Sequence, residues 1–171
     1  MDVTVSIVLA TVLGGLNTLQ AAIVAAVTRA RGGREASIVS LLGSLSIVGP
    51  LLVWIAIDEG GTTLPRPQDA AWVIGLATAG TWAVLWLAVR GLSPWYGSAG
   101  FSAGIGLALA PRLIGDLGLA LYFSLTMLGS AAGALIFDHY GVFGFAKRRV
   151  SVSRASGLAL VAAGVVLVRV A

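Results

Sequence analysis

Stretches without any charged side chain dominate this chain. Residues 3–28, 36–57, 70–89, 91–111 and 117–137 contain no Asp, Glu, Lys or Arg, and each stretch is 20 to 26 residues long. A helix rises 1.5 Å per residue, so about 20 apolar residues cross the ~30 Å hydrocarbon core of a bilayer. The pattern predicts an all-α, polytopic membrane helix bundle.

Composition supports that reading, with 58% hydrophobic and only 11% charged residues. A soluble domain carries about twice that share of charge. The first stretch differs from a secretory signal because Met1 and Asp2 supply no basic leader and its uncharged run far exceeds a signal core; it reads as a retained helix. The net charge of +4 does not predict nucleic-acid binding, because the basic residues are spread among connecting loops, where the anionic lipid surface is their natural partner. With no cysteine, thiolate metal sites and cysteine nucleophiles are excluded, and a single histidine completes neither a metal site nor a serine–histidine pair. Neither a cofactor nor an enzymatic activity is expected.

A sixth stretch, 152–170, is interrupted by Arg154 and Arg169, which can snorkel and let the helix span. Six spans are therefore expected, at about 3–28, 36–57, 70–90, 93–111, 117–137 and 152–170, in a single transmembrane domain over residues 1–171. They divide the loop cations eight against three: Arg29, Arg31, Arg34, Arg90, Lys147, Arg148, Arg149 and Arg154 on one side, Arg66, Arg112 and Arg169 on the other. Removing residues 70–89 from the count makes the division six against five, so the positive-inside rule favours six spans, with both termini outside the cytoplasmic membrane.

Inside the spans, Gly100-Phe-Ser-Ala-Gly104 and Gly129-Ser-Ala-Ala-Gly133 have the GxxxG spacing that lets two helix backbones approach, although 23 glycines also generate that spacing by chance. Pro50 predicts a kink, and Pro94 and Pro111 predict span boundaries. Trp54, Trp72, Trp86, Trp95 and Tyr96 fall near span ends as interfacial anchors do, whereas Trp82 lies in mid-span.

Polar groups in hydrocarbon are the best site candidates, because placing them there is costly. Asn17 and Gln20 share a face of the first helix and have two available roles: hydrogen bonds to a substrate, or bonds that join neighbouring helices. Together with Trp82 they form the expected substrate-binding set. Arg112 and Asp116 form an i, i+4 pair between two spans, and Asp138, His139 and Tyr140 end the fifth; Asp116 and Asp138 are the candidates for coupling or gating, and an interfacial ion pair or cap is the alternative for each group.

Several segments carry a resemblance. The stretch Val12-Leu-Gly-Gly-Leu-Asn-Thr-Leu-Gln-Ala-Ala-Ile23 resembles the first-helix pattern of the YdcZ-like family of the drug/metabolite transporter superfamily, with Gly14, Gly15 and Gln20 in the matching places. Ser93-Pro-Trp-Tyr96 with Gly97 and Gly100, Ala110-Pro-Arg-Leu-Ile-Gly115, and Gly129 to Leu135 followed by Phe137-Asp-His-Tyr-Gly-Val-Phe-Gly-Phe145 and Lys147 to Arg149 are similar to its later segments. The resemblance implies a helix bundle that forms one half of a larger transporter, with a small-molecule substrate moving between two halves. It also makes residues 70–89 an addition to the family's five helices. The second half is expected to be a different chain of opposite topology or a parallel copy of this one, since the loop charge is too one-sided for dual insertion. A membrane scaffold or accessory subunit that carries nothing is the competing class.

Overall fold

The computed structural model describes residues 2–60, 62, 64–142 and 147–170; the 143–145 part of the last motif lies outside the described residues. Six α-helices follow one another: α1 (Val3–Arg31), α2 (Gly33–Asp58), α3 (Ala71–Val89), α4 (Phe101–Leu117), α5 (Leu119–Tyr140) and α6 (Val152–Val170). A 3-10 turn region, Pro94–Gly100, leads directly into α4. All but α4 combine the length and hydropathy of a membrane-crossing helix. With its 3-10 lead-in, α4 belongs to one continuous helical segment from Pro94 to Leu117, about 39 Å long at the rises of the two helix types.

Local chemistry sets the ends. Asp2 starts α1 by accepting the Thr4 N–H at 3.1 Å, which satisfies one of the orphan donors of a first turn. Two connections consist of a single glycine. Gly32 joins α1 to α2 at φ 94° and ψ 163°, and Gly118 joins α4 to α5 at φ 76° and ψ 158°. That backbone region is essentially closed to residues with a Cβ. Pro111 does not end its span as expected; it lies inside α4, and the helix runs on to Leu117. A proline in a membrane helix removes one N–H without forcing a stop. The actual stop is Gly118, whose N–H closes the last turn on the Ile114 carbonyl at 2.8 Å.

The chain forms two compact units, and their boundaries fall within α1 and α4. One unit holds the chain up to Ala22 and from Leu109 onward. In it α1 and α5 cross where Gly14 and Gly15 meet Gly129 and Gly133: a Cβ on Gly133 would stand 3.2 Å from Gly15 Cα, and one on Gly129 would overlap the Thr11 carbonyl. Hydroxyls tie the same crossing, because Ser130 Oγ donates to Gly14 O and Thr18 Oγ1 to Ser130 O, both at 2.9 Å. α6 packs along α5 in this unit.

The other unit, Ile23–Ala108, is built around α2. α3 and the 3-10 region both pack on it. A Cβ on Gly43 would lie 2.7 Å from Gly100 N, and one on Gly104 the same distance from Ile47 Cβ, so the Gly100–Gly104 pair also marks a close helix crossing. Ser40 Oγ and Ser44 Oγ donate to the carbonyls of Ala99 and Gly100 at 3.2 and 3.0 Å. With no hydrophobic effect between helices in lipid, close backbone packing and such hydrogen bonds carry association.

Candidate functional site

The second unit holds the most site-like arrangement, and it begins with Pro50. In an unbroken helix the N–H of residue 50 would bond the carbonyl of Ser46, but proline has no N–H. That leaves an acceptor in mid-helix, and Trp82 of α3 fills it, its indole Nε1–H donating to Ser46 O at 3.2 Å. Gly49 admits α3 at this level, since a Cβ there would meet the Thr78 side chain. Trp82 is thus oriented by a proline on the neighbouring helix, yet the residue is 53% exposed.

Two hollows share that residue in their linings. One, of about 410 Å³, is lined by Trp82, Trp86, Phe101, Pro94, Ser46 and Ser98 among others. The second, of about 290 Å³, is lined by Pro50, Val53, Gly75, Thr78, Ala79 and Trp82. Both are apolar with a few hydroxyls and contain no charged lining residue. At one end of this region Arg90 stacks over the Trp86 ring at 5.4 Å, and Arg31 caps α3 by donating to the carbonyls of Ala88 and Arg90 at 2.8 and 2.5 Å.

The remaining candidates belong to the first unit. Asn17 is exposed on α1, and Gln20 is half-buried three residues further on. Asp116, expected beside Arg112, accepts the Ser6 hydroxyl at 2.8 Å, which joins the end of α4 to the start of α1. Asp138 is paired with Arg154 at the start of α6, at 2.6 Å, and its own carbonyl accepts the Arg148 N–H at 2.8 Å. Asp116 lies in the last turn of α4, just before α5 begins, and Asp138 in the last turn of α5, so the two carboxylates mark opposite ends of a helix about 33 Å long at 1.5 Å per residue. His139 Nδ1 is buried without a hydrogen-bond partner. Among the described residues no cluster of three metal-ligating side chains forms.

Sequence reasoning singled out Trp82 but missed Ser46, its acceptor. The signal was available, since any proline inside a helix frees the carbonyl four residues before it. It also missed a third apolar hollow, of about 340 Å³, flanking the α1–α5 crossing at Gly15 and Gly133. Only the paired helices create that one.

No curated protein and no solved structure matches the chain. Residues 70–167 match the family model described as "Putative inner membrane exporter, YdcZ". The matched stretch includes α3, which was expected to be an addition to the family pattern, and it excludes Val12 to Ile23, where a first-helix pattern was expected. The match covers more than half of the sequence and lies across helices long and apolar enough to cross a bilayer, so the chain is a multi-pass membrane protein and belongs to the YdcZ family.

Proposed function

We propose that this chain is a transporter, or one half of a transporter, that exports a small apolar or amphipathic molecule across the cytoplasmic membrane. The observation that carries the reading is the pair of hollows around Trp82, large enough for a small ligand and set in helices of bilayer-spanning length. Transport, and not catalysis, is also the activity ascribed to the family. In this reading Trp82 is the flat apolar contact of the substrate, and the amides of Asn17 and Gln20 line the path where a second copy or a second chain completes it. Asp116 and Asp138 then serve as gating groups at the two ends of α5. The cation bias of eight against three supports both termini outside and, for any homodimer, a parallel arrangement.

An efflux assay tests the proposal. Cells lacking their major exporters and expressing the chain, loaded with a panel of neutral fluorescent aromatic dyes, are expected to retain less of at least one dye than cells carrying empty vector. Trp82→Ala should abolish most of that difference while leaving the amount of inserted protein unchanged. Retention equal to the vector control for every dye, with the protein inserted and folded, would defeat the transporter reading and favour a scaffold.

A further inference from the structure

The mid-helix acceptor of α2 has a chemical consequence for what the site binds. We propose that the Ser46 backbone carbonyl is the hydrogen-bond anchor of a ligand site for small, flat, neutral molecules carrying one N–H or O–H donor, with the Trp82 indole as its resident occupant in the empty protein. The proposal rests on the transporter reading and names the substrate class of the same site.

Three observations support it. The carbonyl is available because Pro50 has no N–H to give it, and a polar group left bare in hydrocarbon is costly, so some donor must always be there. Trp82 supplies that donor at 3.2 Å, at the long end of the usual range, and the residue is 53% exposed and lines both hollows. An indole is itself a flat apolar body with a single donor, so the wall of the site models its own ligand. A carbonyl oxygen has two lone pairs, so a ligand of that kind seated in either hollow can bond Ser46 O beside the indole and gain one hydrogen bond.

The hydroxyls around the site point to the same ligand class. Ser46 Oγ donates to Gly43 O at 2.7 Å, Thr78 Oγ1 to Ile74 O at 2.8 Å and Ser98 Oγ to Trp95 O at 2.7 Å. Each lining hydroxyl has therefore committed its proton to its own helix. The site offers acceptors and withholds donors. With no charged residue in the lining, it also gives an ion no counter-charge.

Tritiated 2-naphthol and 2-methoxynaphthalene test this, since they share a ring system and differ in one O–H. Binding is measured on the full chain in nanodiscs, with empty nanodiscs subtracted for partition into lipid. Saturable binding of 2-naphthol about fivefold tighter than the ether is expected, which is the effect of one neutral hydrogen bond. In Pro50→Ala the restored N–H of residue 50 takes the carbonyl, and the preference should fall below about twofold. Trp82→Phe keeps an aromatic wall but removes the competing donor, and should tighten 2-naphthol. Equal binding of the two compounds, no saturable binding, or a preference that survives Pro50→Ala in a protein of unchanged thermal melting would overturn the site. The efflux result stands apart from it: export without donor preference defeats this assignment alone, and donor-selective binding without export defeats only the transporter reading.

Discussion

Replacing Gly129 by alanine puts the α1–α5 crossing to a quantitative test. The new methyl would overlap the Thr11 carbonyl oxygen, and it would stand 2.8 Å from that carbonyl carbon and 3.2 Å from Gly14 Cα. These are backbone atoms, which cannot swing aside as a side-chain tip does, so the helices must part by about 1 Å or more to recover ordinary contact distances near 3.5–4 Å. At that separation the bonds from Ser130 Oγ to Gly14 O and from Thr18 Oγ1 to Ser130 O, both 2.9 Å, stretch beyond hydrogen-bond range. Each such bond contributes about 0.6 kcal/mol in a membrane bundle. Overpacking adds about 1–3 kcal/mol, and the gain in helix propensity returns somewhat less than 1 kcal/mol. The net expectation is a loss of about 1.5–3.5 kcal/mol. Gly133→Ala is the internal control from the same motif: its methyl would lie 3.2 Å from Gly15 Cα and 3.4 Å from both Gly15 O and Thr18 Cβ, a fit that a shift of a few tenths of an ångström accommodates. Its loss should stay below about 1 kcal/mol. Gly157→Ala on α6 meets nothing within 4 Å and should be neutral or slightly stabilising. Unfolding by sodium dodecyl sulfate in mixed micelles, followed by circular dichroism, ranks the three. Equal losses at Gly129 and Gly133 would refute the argument from clearance.

Arg31→Met removes both donors that cap α3, at 2.8 and 2.5 Å; with the side chain 31% exposed, a loss of about 1 kcal/mol is expected, along with faster amide exchange in the last turn of α3. The Asp138–Arg154 pair, at 2.6 Å but with side chains 32% and 38% exposed, should show a coupling of less than about 1 kcal/mol in a cycle of Asp138→Asn and Arg154→Gln, shrinking further in high salt. A coupling above about 2 kcal/mol would mean that the pair is desolvated in the bilayer. Cysteine labelling at Gly33→Cys is clean because the chain has no cysteine, and labelling only from the cytoplasmic side is expected; access from outside alone would invert the topology.

The fold class was legible because hydrocarbon permits few backbone solutions, and charge-free stretches of spanning length leave helices as the main one. The glycine pairs were legible as motifs, but their partners were not. Nothing in Gly129-Ser-Ala-Ala-Gly133 says that it meets Gly14 and Gly15, because GxxxG marks a close approach without an address. Pro111 misled because a proline is only a weak stop in lipid, whereas Gly118 carries the positive φ that turns the chain. The bond from Ser6 to Asp116 was not legible, because Ser6 lies 110 residues away in sequence and a carboxylate near a helix end carries no sign of which other helix it reaches. Trp82 was noticed as a mid-span exception; its tie to Ser46 required knowing that α2 and α3 are neighbours.

The two single-glycine connectors also decide where the chain has slack. At Gly32 and Gly118 a helix ends and the next begins without a spare residue, so neither helix of such a pair can slide along its axis without unwinding a turn. An epitope, a fluorescent protein or a protease site placed there would untie two helices at once. The α2–α3 connection, between Asp58 and Ala71, has length to give and tolerates an insert on the energetic scale of loop lengthening, about 0.6 kcal/mol per doubling. Reporter insertions that map this protein therefore belong in that connection.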